Sequence, residues 1–318
     1  MRVSPIVSCP RDNPGHNETP SGMPFPGATT VRKPAVPQSA LRIAAVVVLY
    51  RPTSELFDNL RSYAGAVEEL YLVDNTEAPL PDLEAGLAGM PGVRYLPNHA
   101  NLGIARALNI GAEHALAGAY ALLLTLDQDS AAAPDMVARM LGCLAGRELD
   151  TVGMISPFHV TKSGHQPGSE LCQDVMTPMT SGCLLNLRAY QAVGPFLDEL
   201  FIDFVDNEYC LRLRKHGYQV LRANLARLNH SVGDTKKFGP FIATNHSPLR
   251  RYYKTRNRFL VFRRYLGDFP GHCLFDLVRL AKEIASIVLF EGEKTAKLRM
   301  IWLGWCDFLR GRYGRYDH

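Results

Sequence analysis

The sequence predicts an α/β fold: a mostly parallel sheet flanked by helices and followed by a C-terminal helical extension. Three features carry that expectation. Short β-branched runs such as Ile43-Ala-Ala-Val-Val-Val-Leu-Tyr50 have the uninterrupted apolar character of parallel strands buried on both faces. Stretches of helical periodicity separate them, which makes the connections βαβ crossovers. From Pro248 onward the pattern turns helical, basic and aromatic. The 318 residues, 47% hydrophobic and 21% charged, exclude wholesale disorder and suffice for one large or two ordinary domains.

In chain order, residues 1–40 hold eight of the 21 prolines and almost no apolar periodicity, so they are expected to be disordered. They lack the apolar core and positive flank of a signal peptide, and Met23 offers a second start. The first strand, Ile43 to Tyr50, leads into a helix over Pro52 to Ala66. A second strand, Glu69 to Val73, ends in Asp74-Asn75; Val93 to Leu96 and Ala121 to Leu126 read as the third and fourth. Beyond residue 150 the elements shorten. The expected division is a Pro-rich segment (1–40), an α/β domain (41–265) and a basic amphipathic tail (266–318).

The net charge of +4 is unevenly spread. Residues 250–318 hold 15 Lys/Arg against 7 Asp/Glu, whereas the first 249 residues hold 20 against 24. A basic tail on a mildly acidic body suits an anionic partner: a membrane surface, phosphate groups or nucleic acid. The best candidate for a membrane span, Leu274 to Phe290, is interrupted by Asp276, Arg279, Lys282 and Glu283, which argues against insertion. Seven scattered cysteines without a CxxC pair read as reduced, buried thiols of a cytosolic protein.

In sheets of this kind ligands bind beyond the carboxyl ends of the strands. The residues to examine are therefore Tyr50-Arg51, Asp74-Asn75, Asn98 to Asn101 and Asp127-Gln128-Asp129. In an extended segment Asp127 and Asp129 point to one side, so both carboxylates can face one site and hold Mg2+ or Mn2+. The alternative is a strand-ending turn bonded to local backbone. Asn101 can cap a helix whose Gly103 permits close approach of a ligand, or simply begin an ordinary helix that Gly111 eases onto the sheet. Phe201-Ile-Asp-Phe-Val-Asp-Asn-Glu208 places Asp203, Asp206 and Glu208 among apolar residues at a helix start. Acids there suit the helix dipole, and an ionised one could remove a proton from a hydroxyl nucleophile. His230, in Leu228-Asn-His-Ser-Val-Gly-Asp234, could complete a metal site or be structural.

Together with Thr180-Ser-Gly182 and Tyr252-Tyr-Lys-x-Arg256-Asn257, these segments occur in an order that resembles the inverting family two glycosyltransferases of the GT-A fold, bacterial rhamnosyltransferases in particular. The resemblance covers residues 43–265. It implies that Asp74 contacts the nucleotide base and that Asn101 and Gly103 line the base and ribose pocket, with Tyr50 and Gln128 also on the donor side. It implies a metal held by Asp127, Asp129 and His230, with Asp129 the direct ligand and Asp127 nearer the sugar. Arg256 or Lys254 would hold the diphosphate. Ser181, Gly182 and Glu208 would face the acceptor, and Asp206 would be the catalytic base. Val205 stands where related enzymes carry a first acid, Glu208-Tyr209 where Asp-Leu is commoner, and Tyr50-Arg51 where Tyr-Asn is usual.

The function implied is transfer of a sugar, L-rhamnose from dTDP-L-rhamnose, with inversion to a hydroxyl of a lipid-linked cell-surface saccharide or glycolipid. Trp302 and Trp305, three apart, would share a helical face resting on anionic lipid, which places the protein at the inner face of the cytoplasmic membrane and leaves nucleic acid out. The alternatives are a sugar nucleotidyltransferase, which would carry a Gly-rich basic signature where Leu49-Tyr-Arg-Pro-Thr53 stands, and a carbohydrate-binding protein without activity. The latter leaves the Asp pair and the acidic cluster without a task.

Overall fold

The structure is a computed structural model that describes residues 41–317 apart from 79, 161–165, 231–235 and 239–240; for 230, 236–238 and 241–243 it describes the backbone alone. The expected disorder of residues 1–40 lies outside the described residues, as does Cys9.

Seven elements build the first half of the sheet: β1 (Ile43–Leu49), α1 (Leu56–Ala64), β2 (Glu69–Asp74), α2 (Pro81–Leu87), β3 (Val93–Pro97), α3 (Ile104–Ala117) and β4 (Leu122–Asp127). Each predicted strand is found, and the predicted Pro52–Ala66 helix begins only at Leu56. The second half follows with β5 (Ser130–Ala132), α4 (Met136–Gly142), β6 (Val152–Val160), β7 (Cys172–Asp174), β8 (Cys183–Asn186), α5 (Leu187–Val193), α6 (Val205–Lys215) and β9 (Gln219–His230). A small hairpin, β10 (Lys236–Phe238) and β11 (Phe241–Ala243), precedes three helices: α7 (Pro248–Tyr265), α8 (Pro270–Phe290) and α9 (Lys294–Leu309).

The strand order is β3-β2-β1-β4-β8-β6-β9-β5, with β7 also paired to β9. The run β3-β2-β1-β4 is parallel throughout, and β6 pairs parallel with β9. β8 enters antiparallel between β4 and β6. All seven residues of β1 are buried because helices cover both faces. Ala44, Val46 and Val48 join the core under α3 and α6, while Ile43, Ala45, Val47 and Leu49 join the one under α1 and α4. Each buried Val or Leu contributes roughly 1.5–3 kcal/mol. The parallel half therefore presents its carboxyl ends on one edge, supported from both sides.

The reversal into β8 is made at Gly182. Its φ of 80° is one an L side chain rarely adopts, and a Cβ there would sit 2.7 Å from Leu228 and 2.8 Å from Pro157. Its N–H donates to the Thr125 carbonyl at 2.6 Å, which ties the turn to the end of β4.

Three expectations change. Cys143 and Cys172 form a disulfide, because α4 and β7 both lie against β9 and bring their Cα atoms within 5.7 Å; Cys183, Cys210 and Cys273 are buried thiols as expected, and Cys306 is a partly buried one. The described residues form one compact unit, with no boundary at 266. α9 packs on α7 so closely that a Cβ on Gly304 would lie 2.5 Å from the Tyr252 carbonyl. Finally, Trp302 and Trp305 do not share an environment: Trp302 is 64% exposed, whereas Trp305 meets Phe259 edge-on with ring centroids 4.2 Å apart. No described helix is long and apolar enough to cross a membrane.

Candidate active site

Two adjoining cavities open beyond the carboxyl ends of β1, β2 and β4. The first, about 430 Å³, is lined by Tyr50, Asn75, Asn101, Gly103 and the Asp127-Gln128-Asp129 run. The second, about 290 Å³, is lined by Ser181, the loop Ile202 to Asn207, and cations of α7 and α8. Ile104, Asp127, Ile202 and Arg250 line both, so Asp127 and Arg250 stand at the junction.

The walls of the larger cavity are held by backbone-directed hydrogen bonds. Gln128 bonds Tyr50 reciprocally: the Tyr50 N–H donates to Oε1 at 2.8 Å, and Nε2 donates to the Tyr50 carbonyl at 3.2 Å. This strut fixes the β1 loop against the β4 loop and occupies the Gln128 amide. Asn101 does not cap α3. Its Oδ1 accepts from the Gly103 N–H at 3.1 Å, and α3 starts after Gly103, whose φ is 84°. A Cβ on Gly103 would lie 2.6 Å from the Phe201 carbonyl, and the next N–H, of Ile104, donates to that carbonyl at 2.7 Å. Asn109, further along α3, donates to the Phe196 carbonyl and Asp198 and accepts from Tyr190, so it anchors the approach to the same loop.

The smaller cavity is built on strained backbone. Phe201, Asp203 and Phe204 have φ of 62°, 62° and 66°. Such residues cost roughly 1–3 kcal/mol each and persist only where the surroundings over-determine them. Here the surroundings are α7 and the chain end. Asn257 Nδ2 donates to the carbonyls of Leu200, Ile202 and Asp203 at 2.8, 2.8 and 3.0 Å. Arg256 donates to the carbonyls of Gly314, Glu199 and Leu200. The loop thus delivers Asp206 to the cavity in the first turn of α6, where the dipole favours an anion. Burial pushes the Asp206 carboxyl above the usual range, against two bonds from Asn207 that both go to Oδ1. A half-buried carboxylate with a raised pKa is suited to taking a proton from a hydroxyl.

Asp127 and Asp129 both line the larger cavity, and Ser130 pairs with His230 across β5 and β9, which brings residue 230 next to Asp129 in the ladder. Two carboxylates on the wall of the larger cavity, with Asp127 at the junction, form a hard-oxygen donor set of the kind Mg2+ and Mn2+ take. Among the described residues no three His, Cys, Asp or Glu side chains converge. Ser181 positions the strand end: its Oγ accepts from the Asp127 N–H at 3.1 Å and pairs with the Ser130 hydroxyl at 2.7 Å.

Four expected site residues sit elsewhere. Asp74 is 1% exposed, accepts from the Thr76 N–H at 2.8 Å and from the Tyr95 phenol at 2.6 Å, and leaves Asn75 to line the cavity. Arg256 is 1% exposed and lines neither cavity, because its guanidinium is bonded to loop carbonyls and stacked near Tyr252 and Tyr253. Glu208 faces away from Asp206; it accepts from Arg212 at 2.8 Å and from Tyr265 at 2.7 Å at 0% exposure. Gly182 shapes the turn beneath the cavity without lining it.

Residues 55–181 match the sequence model of glycosyl transferase family 2, a stretch that runs from the N-terminus of α1 through β4 and the Asp pair to Ser181. The chain carries a glycosyl transferase family 2 domain. The chain is also similar to the dTDP-rhamnosyl transferase RfbF of Shigella flexneri, 29% identical over 250 residues that cover 70% of this chain and 80% of the relative. Among solved structures, GalNAc-T7 with UDP, GalNAc and Mn2+ superposes with a TM-score of 0.58 at 13% identity, over 73% of this chain and 49% of that one. TarS of S. aureus superposes at 0.56 and 12% identity, over 85% of this chain and 49% of that one. The chain thus spans about half the length of these two structures, and at such identities the likeness shows the fold, which is the GT-A fold expected above.

Within the glycosyltransferase, two residues of the site had no motif to announce them. Arg250 grips Asp203 with Nε and Nη2 at 3.1–3.2 Å and stands at the junction of the cavities. Asn257 was visible only as part of a Tyr-Tyr-Lys-x-Arg-Asn run, with no hint that its amide braces the loop. The signal for both was the basic start of the C-terminal helices.

Proposed function

We propose that this glycosyltransferase moves L-rhamnose from dTDP-L-rhamnose, with inversion, to a hydroxyl of a lipid-linked saccharide, by a single displacement assisted by Mg2+ or Mn2+. The observation that carries it is the pair of cavities joined at Asp127, with the half-buried carboxylate of Asp206 in the second cavity. That arrangement fits a donor in the larger cavity and an acceptor hydroxyl in the smaller one. The similarity to a dTDP-rhamnosyl transferase supports the donor.

In this reading Tyr50, Asn75 and Asn101 bind the nucleoside, with Gly103 leaving room for close approach. Asp127 and Asp129, with His230, would hold the divalent ion, which supplies a Lewis acid for diphosphate charge. Arg250, rather than Arg256, is the cation placed to stabilise the leaving group. Asp206 takes the proton of the acceptor hydroxyl, whose oxygen attacks the anomeric carbon from the face opposite the diphosphate. The basic surface of α9, with Trp302 exposed, rests on anionic lipid at the inner face of the cytoplasmic membrane.

The test is transfer and donor hydrolysis with purified protein, Mn2+ and a panel of nucleotide sugars. The expected outcome is selective turnover of dTDP-L-rhamnose. Asp206→Asn should lose transfer by about 10²–10⁴-fold, the usual worth of a general base, with donor affinity retained. Full turnover by that variant would sink the assignment of Asp206.

A further inference from the structure

The cavity that holds Asp206 has a wall not yet used. α8 lines it with Asp276, Arg279 and Glu283, which fall on one helical face. Four cations face this cavity. Arg250 is paired with Asp203, Lys254 with Glu283, and Arg258 with Asp276 and Glu283. Arg279 differs. It is exposed and, among the described residues, has no carboxylate within ion-pair distance; its guanidinium lies 5.9 Å from the ring of Phe275.

Phe275 belongs to an exposed apolar strip. Leu274, Phe275, Val278 and Leu289 are 56%, 62%, 52% and 57% exposed. At 3.6 residues per turn, Leu274, Val278 and Leu289 project away from Asp276 and Glu283, and Phe275 and Arg279 stand between the two sides. One helix therefore presents a cavity wall, then an unpaired arginine, then an apolar surface, in that order around its circumference. A contiguous apolar surface beside a functional cleft marks a contact for a ligand or partner. Because Arg279 lines the cavity itself, its ligand must be continuous with whatever fills that cavity.

We propose that this seam of α8 is an acceptor subsite for a lipid-linked phosphate or diphosphate. Arg279 takes the anionic group at the cavity mouth, the Leu274–Phe275–Val278 strip takes the hydrocarbon, and the saccharide reaches inward toward Asp206. The proposal rests on the smaller cavity being the acceptor side. A planar guanidinium matches phosphoryl oxygens in a bidentate fork, and the surplus of cations in residues 250–318 raises the local concentration of such an anion.

Farnesyl diphosphate is a suitable probe, with inorganic diphosphate and farnesol as the two half-ligands. Each is titrated calorimetrically into the full chain held at saturating dTDP and Mn2+, so that the donor cavity is filled. The expected result is that farnesyl diphosphate binds at least tenfold more tightly than either half-ligand. Arg279→Ala should weaken it by about tenfold, the scale of one charge-assisted hydrogen bond. Phe275→Ser should weaken farnesyl diphosphate while leaving inorganic diphosphate unchanged.

Equal affinity for all three probes, or an Arg279→Ala variant that binds farnesyl diphosphate like the parent, overturns the proposal. So does binding of phosphatidylglycerol vesicles that depends on Arg279 when farnesyl diphosphate does not bind, since the strip would then be a membrane dock. The dTDP affinity is measured first in every variant. Its absence from the parent protein would count against the donor assignment alone.

Discussion

One amide braces the loop that carries the proposed base. Asn257 bonds three consecutive-neighbourhood carbonyls, of Leu200, Ile202 and Asp203, in a segment where three non-glycine residues have positive φ. Losing those bonds leaves buried acceptors at about 1–3 kcal/mol apiece, comparable to the strain they offset. Asn257→Ala should therefore relax the loop and lower kcat by roughly tenfold to a hundredfold, with a smaller effect on donor Kd because only Phe201 and Ile202 of that loop line the larger cavity. The pH profile discriminates positioning from general damage. Activity requires ionised Asp206, so kcat/KM should fall as pH drops through a pKa raised by burial above the usual carboxylate range. In Asn257→Ala, that acidic limb should move down toward the ordinary value as the loop opens to water. A variant whose kcat falls with an unmoved limb would refute the positioning role.

Helices α7 and α8 meet through buried ions, whereas α7 and α9 meet through rings such as Phe259, Trp305 and Phe308. Glu283 of α8 lies between Lys254 and Arg258 of α7 at 3.0 and 3.1 Å, with Arg251 at 3.5 Å. Burial raises the Glu283 carboxyl, but Arg258 and Lys254 outweigh it and pull it down to about 2. A depressed carboxylate stabilises the fold above its unfolded value of 4.5, and that stabilisation is lost as pH falls toward 2. Glu283→Gln strands buried cations and should cost roughly 3–5 kcal/mol at pH 7 by urea unfolding, with the gap to the parent protein closing by pH 2. A constant gap across that range would show that packing, not charge, is what the substitution removes. This interface also marks where the sequence stopped being informative. β1 to β4 were legible because period and apolarity are local, and Asp127 and Asp129 were legible as residues following a strand. Arg250 meets Asp203 across 47 positions and Asn257 meets Leu200 across 57, distances no window of periodicity spans. Asp74, Arg256 and Glu208 were misplaced in part for the same reason: their types fit the site, but Tyr95, the Glu199 carbonyl and Tyr265, remote in sequence, engage them alongside local partners such as Thr76 and Arg212.

Across the whole molecule, the last residues return to the loop that carries the proposed base. Gly314 lies in the segment read as a basic tail (266–318), yet its N–H donates to the Glu199 carbonyl at 2.8 Å and its own carbonyl accepts from Arg256 at 2.7 Å. The Tyr316 N–H donates to the Tyr253 hydroxyl at 2.8 Å, and the Tyr316 ring lies 4.6 Å from that of Tyr252. The segment thus closes a circuit from α9 to Arg256, and from Arg256 to the strained loop before Asp206. The larger cavity takes only Phe201, Ile202 and Arg250 from this region. A chain ending at Leu309 should therefore lose less in dTDP affinity than in kcat, because most of that wall belongs to α3 and to the ends of β1, β2 and β4. It should lose kcat by at least tenfold, because Arg256 would keep two loop carbonyls without the third partner that orients its guanidinium. The same truncation removes Arg310, Arg312 and Arg315, so a charge effect has to be separated from a positional one. Replacing those three arginines with glutamine in the full-length chain does so: the glutamine variant should keep parental kcat, and a loss matching the truncation would mean that cationic charge, not the Gly314 bonds, carries the effect.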